Sequence, residues 1–193
     1  MKVRVNPWPG ETKKVAVFTG IVCNLACVVC GPGASSKWRS ELGMGRYNED
    51  EYTPMPGEIT VEVEDYDWLS LEHVTFSGGE PMLNQSTLLI LKNLNENCNV
   101  HFHSNGTQQP SDEFLEAFAR FKSFDITFSI DDIEEQFEYL RWPAKWSEVT
   151  ENILWCRENC PPNIRFEFNS VVSKLNADKR GSLLILSPSN CGK

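Results

Sequence analysis

Three cysteines fall on one short stretch, Cys23-Asn24-Leu25-Ala26-Cys27-Val28-Val29-Cys30, in a C-x3-C-x2-C spacing. Thiolates spaced this way can wrap one corner of a cubane and ligate three of the four irons of a [4Fe–4S] cluster, which leaves the fourth iron open to an outside ligand. Zinc is the second chemistry open to the trio. It usually takes four ligands, and the candidates for a fourth, His73, Cys98, His101 and His103, are all distant in sequence. A buried trio of purely structural thiols is the third reading.

Gly78-Gly79-Glu80-Pro81 is a second cluster of chemistry-bearing residues. Two glycines remove side chains where the backbone must approach a ligand, and the exposed carbonyls together with Glu80 can accept hydrogen bonds from an ammonium group. Taken alone, the tetrapeptide is a weak motif, and a strand-to-helix turn with Pro81 near the start of the helix is its plainer reading.

A C-x3-C-x2-C loop followed by G-G-E-P resembles the radical S-adenosylmethionine superfamily, and the likeness extends over residues 15–176. The resemblance implies that Cys23, Cys27 and Cys30 hold a [4Fe–4S] cluster, that S-adenosylmethionine chelates the open iron, and that Gly78, Gly79 and Glu80 receive its amine. Weaker matches follow in the same order. Ser104-Asn105-Gly106-Thr107 resembles the T-N-G-T ending of the family's third strand, and Ser129-Ile130-Asp131-Asp132 the S-I-D-G ending of its fourth. They imply cofactor contacts for Asn105 and Ser129. Arg141 stands where the peptide-modifying branch places an arginine for the cofactor's carboxylate, a group that a guanidinium fork matches well; a solvated helix charge is the plainer reading. The segment Cys30-Gly31-Pro32-Gly33-Ala34-Ser35-Ser36-Lys37-Trp38 looks like that of SPASM and twitch members, although their cysteine-bearing C-terminal extension is lacking here. Val29 also departs from the aromatic residue the family often has before its last cysteine.

The activity so implied is that of an iron–sulfur oxidoreductase. It cleaves S-adenosylmethionine reductively to a 5′-deoxyadenosyl radical, which abstracts hydrogen from substrate, with a peptide or protein as the first expectation. A radical enzyme acting on a small metabolite is one alternative, and a cluster-binding protein that is inactive or needs a partner is another. A one-electron donor such as flavodoxin or ferredoxin is the implied partner.

Elements of a βα alternation must position these residues. Strands are predicted at residues 15–19, 73–77, 99–104, 125–130 and 164–172, each rich in β-branched or aromatic residues. Helices are predicted behind Ser111, where Phe114, Phe118 and Phe121 recur, and behind Asp131-Asp132, where Ile133, Phe137 and Leu140 recur. Val74 and Phe76, Val100 and Phe102, and Ile126 and Phe128 share one face of their strands. Thr75, His101, His103, Thr127 and Ser129 share the other. A doubly wound sheet would be apolar on both faces, so this α/β chain reads as a partial, open (β/α)6-type barrel with a polar lumen. It is expected to form one domain over residues 1–193, clearest over 14–176 and truncated after the fifth strand. Residues 43–64, rich in Gly, Pro and acids, read as a surface excursion, and 181–193 as an atypical end.

The chain has 193 residues and a formal charge of −9, which disfavours nucleic acid as a primary partner. Seven cysteines and no apolar stretch resembling an export signal or membrane span lead to an expected cytoplasmic address with thiols, not disulfides. Val149, Ile153, Cys156 and Cys160 form a helical stripe that reads as core packing, Cys98 is similarly bland, and Cys191 reads as free. His101 and His103 are expected to face the cavity, as satisfied interior histidines or as an acid–base pair.

Overall fold

The computed structural model describes residues 1–7, 12–45 and 59–177. Seven strands are present among the described residues: β1 (Lys2–Pro7), β2 (Lys14–Phe18), β3 (Ile59–Glu62), β4 (His73–Ser77), β5 (Asn99–Ser104), β6 (Ser123–Ser129) and β7 (Ile164–Asn169). They form one sheet in the order β3-β1-β2-β4-β5-β6-β7. β2, β4, β5, β6 and β7 run parallel, while β1 runs antiparallel to both β2 and β3. The sheet does not close. It is a mixed α/β sheet, mostly parallel, and matches the partial barrel that the alternation predicts.

Five α-helices accompany it among the described residues: α1 (Ser36–Glu41), α2 (Gln85–Asn93), α3 (Asp112–Ala119), α4 (Glu134–Leu140) and α5 (Trp146–Asn159). Alternation along the strands decides which face packs. Val74, Phe76, Val100, Phe102, Phe124, Ile126 and Phe128 are all buried and meet Phe114 and Phe118 of α3, Phe137 of α4 and Val149 of α5 in one core. Phe118 joins sheet to helix, with its ring 5.7 Å from Phe102 and 4.4 Å from Phe124. Cys98 and Cys156 lie in this same core, as the helical stripe predicts for Cys156. On the other face Thr75, His101, His103 and Ser129 remain only half-buried. No helix among the described residues is long and apolar enough to cross a membrane.

Two strands lie outside the sequence reading. β1 buries Val3 and Val5 through strict alternation, but Arg4 separates them and the run is too short to stand out. β3 falls within residues 43–64, so part of that supposed excursion is edge strand: Ile59–Glu62 pairs with β1, although its side chains are exposed or half-buried and give no apolar signal. Residues 46–58 of that stretch, and 181–193 with Cys191, lie outside the described residues.

Candidate metal centre

The cysteine loop leaves the end of β2 and is gripped from three sides. The first grip comes from the end of β4: Gly79 N donates to Gly20 O at 2.9 Å and Glu80 N to Val22 O at 2.7 Å. The glycine pair is forced by this approach. A Cβ on Gly79 would sit 2.0 Å from Val22 O, and one on Gly78, whose φ is +89°, would sit 2.6 Å from Gly20 O. The second grip comes from the segment after α4: Ala26 N donates to Trp142 O at 2.7 Å and Val28 N to Leu140 O at 2.8 Å, so Cys27 faces Arg141. The third is α1. Ser36 Oγ accepts from Cys23 N at 3.1 Å and donates to Cys23 O at 3.0 Å, and Trp38 Nε1 donates to Cys27 O at 2.8 Å. Ser35 caps α1, accepting from Lys37 N and Trp38 N, while its hydroxyl donates to Leu25 O.

The three sulfurs differ in environment. Cys27 is buried, Cys23 is half-buried and Cys30 is exposed, so the trio runs from the interior to an open side. A donor from elsewhere in the fold reaches each of the two inner sulfurs: Asn105 Nδ2 is 3.8 Å from Cys23 Sγ, and Arg141 Nη1 is 3.9 Å from Cys27 Sγ. Cys27 and the Arg141 guanidinium hold the Cys30 thiol below its usual range, while Cys30 and burial push Cys27 up. Burial raises Cys23. Thiols must shed their protons to bind metal, and N–H groups aimed at the sulfurs stabilise the thiolates that result. Three thiolates on one loop, each able to take a different iron, suit a cluster.

Glu80 is fully buried and turned inward. Its Oε2 accepts from Asn105 N at 2.7 Å, and its Oε1 accepts from the Ser104 hydroxyl at 3.1 Å and Met82 N at 3.4 Å. Burial pushes its carboxyl up to about 7 despite these donors. Its carboxylate therefore fixes the turn after β5, and in that turn Asn105 Nδ2 also reaches Asn24 Oδ1 at 3.0 Å. Asn24 Nδ2 in turn donates to Thr107 Oγ1 at 2.8 Å. The chain Glu80, Asn105, Asn24 and Thr107 thus ties the end of β5 to the cysteine loop.

Arg141 is not the solvated helix charge of the plainer reading. It is the C-cap of α4, only 7% exposed, and its Nη2 pairs with Asp131 Oδ2 at 2.9 Å. Its Nε is buried without a hydrogen-bond partner. Ser129 ends β6, half-buried, one row above the paired Ser104 and Phe128. On the polar face, His101 Nε2 lies 2.7 Å from Thr127 Oγ1, Thr127 donates to Glu167 Oε2 at 3.4 Å, and the His101 and His103 rings are 4.6 Å apart. Burial, then His101, depress His103. Asn24, Ser35, Ser36 and Asp131 are site residues that periodicity could not reveal. Their only sequence signal was their place inside or beside the matched motifs.

A model of the Radical SAM superfamily matches residues 17–178 of this chain. Among solved structures, SuiB of Streptococcus suis bound to S-adenosylmethionine aligns with a TM-score of 0.57 at 15% identity, over 89% of this chain and 35% of that one. Native anSMEcpe with bound AdoMet and Cp18Cys peptide aligns with a TM-score of 0.44 at 17% identity, over 63% of this chain and 35% of that one. This chain therefore spans well under two thirds of the length of either. Among curated proteins there is no match.

Proposed function

Because this chain belongs to the radical S-adenosylmethionine superfamily, we propose that it is an enzyme that cleaves S-adenosylmethionine reductively, at a cluster ligated by Cys23, Cys27 and Cys30. The family's cofactors are a [4Fe–4S] cluster and S-adenosylmethionine. When bound, they supply one-electron cleavage of a carbon–sulfur bond and hydrogen-atom abstraction, with 5′-deoxyadenosine as by-product. The observation that carries the reading is convergence: three thiols on one loop, two of them met by N–H donors from the ends of two different β/α units.

The protein's own residues supply position. Gly78 and Gly79 allow the loop to lie on the end of β4, and the backbone there is the proposed seat of the cofactor's amine. Glu80 acts indirectly, by holding Asn105. Arg141 retains one buried donor, Nε, for the cofactor's carboxylate, and Ser129 stands at the neighbouring strand end for a ribose or carboxylate contact. The partner is a one-electron donor of the flavodoxin or ferredoxin class. The proposed substrate is a peptide, supported by the resemblance of residues 30–38 to SPASM and twitch members, which often modify peptides or proteins. Anaerobic reconstitution followed by S-adenosylmethionine and dithionite should yield 5′-deoxyadenosine. A full cluster with no cleavage product would instead mark a binding protein.

A further inference from the structure

Arg141 and Asp131 form an ion pair whose side chains are 8% and 1% exposed. Burying two charges is expensive and by itself adds little stability, so the placement of this pair calls for another reason. Two further observations locate it. Ala26 and Val28 are bonded to Trp142 and Leu140, which sets Arg141 directly across from Cys27, and Nη1 approaches the Cys27 sulfur to 3.9 Å. Asp131 is fixed from behind: its Oδ1 accepts from Val171 N at 2.8 Å and its carbonyl accepts from Asn176 Nδ2 at 2.7 Å. The pair therefore sets its positive end against Cys27, while both charges act on Cys30, the guanidinium more strongly than the carboxylate.

We propose that Arg141 and Asp131 together set the reduction potential of the cluster held by Cys27, Arg141 raising it and Asp131 restraining it. The inference rests on the cluster ligation proposed above. Reduction adds one electron from the donor to the cluster and breaks no bond, so any fixed charge nearby acts directly on the equilibrium. A guanidinium keeps its charge throughout and offers an N–H to the sulfur, which favours the more negative, reduced state. The carboxylate behind it acts with opposite sign over a longer distance, and its effect is smaller. A pair whose two charges cancelled at the cluster would leave the potential where it is.

The test is a mediated redox titration of the reconstituted full chain without S-adenosylmethionine, followed by the electron paramagnetic resonance signal of the reduced cluster and normalised to iron content. Arg141→Met is expected to make reduction about tenfold less favourable, a fall of about 59 mV for one electron. Arg141→Lys, which keeps charge but loses the planar fork, recovers part of it. Asp131→Asn moves the potential the other way, by less. Equal potentials in all four proteins, or shifts of one sign in Arg141→Met and Asp131→Asn, overturn the proposal. If Arg141→Met cannot hold iron, Asp131→Asn decides alone: an unchanged or lowered potential refutes the idea. A wild-type chain that forms no cluster instead removes the ligation reading, and this proposal with it.

Discussion

Glu80→Gln isolates one buried carboxylate and makes a signed, quantitative prediction. Glu80 has an ordinary value of 4.5 and is pushed to about 7 by complete burial. Between those values the folded chain holds a proton that the unfolded chain has released, so stability attributable to Glu80 falls as pH rises. It is fully present below about 4.5 and is lost as pH climbs through about 7. At 1.36 kcal/mol per pH unit, the whole effect is about 3 kcal/mol, most of it between pH 5 and pH 8. The amide keeps the shape of the protonated acid but does not titrate. Urea unfolding of the reduced, cluster-free wild type and variant across that range gives the difference curve, from which every other titrating group cancels. Wild type should lose about 2–3 kcal/mol relative to Glu80→Gln from pH 5 to pH 8. A flat difference, or one in which wild type gains, refutes the assignment of Glu80 as a desolvated, inward-facing carboxyl.

Other substitutions test separate parts of the site. Gly79→Ala places a methyl 2.0 Å from Val22 O, so the cysteine loop must shift; a stability loss above about 3 kcal/mol and loss of most bound iron are expected by urea unfolding and iron analysis. Asn105→Ala removes the amide that meets both Cys23 Sγ and Asn24 Oδ1, which should cost about 1–3 kcal/mol and speed cluster loss to a chelator, followed by visible absorbance. Cys156→Ala, in the core on α5, should cost about 1 kcal/mol and leave iron content at the wild-type level, whereas loss of iron would make Cys156 a ligand.

The five parallel strands were legible because each carries a period of two with one wholly apolar face: Val74 and Phe76, Val100 and Phe102, Ile126 and Phe128. β3 was not, since an edge strand without buried side chains has no period to read. At the site, the cysteine spacing and the glycine pair were visible, but the reason for the glycines was not. They are required by the loop lying on them, a contact between residues distant in sequence. Glu80 reads from its motif as an acceptor for an ammonium group, while in the fold its oxygens accept from Ser104 and Asn105 at the turn after β5. Arg141 was identified by type and position, while its pairing with Asp131 and its approach to Cys27 arise from the docking of residues 140–142 on residues 26–28, which no local pattern encodes.

The most direct test of the open iron is the electron paramagnetic resonance spectrum of the dithionite-reduced, reconstituted protein with and without S-adenosylmethionine. The account predicts about four irons per chain, a reduced-cluster signal that changes shape when S-adenosylmethionine is added, and loss of both in the triple variant Cys23→Ala, Cys27→Ala, Cys30→Ala. A fully loaded cluster whose signal is indifferent to S-adenosylmethionine, or a triple variant that keeps its iron, would contradict it.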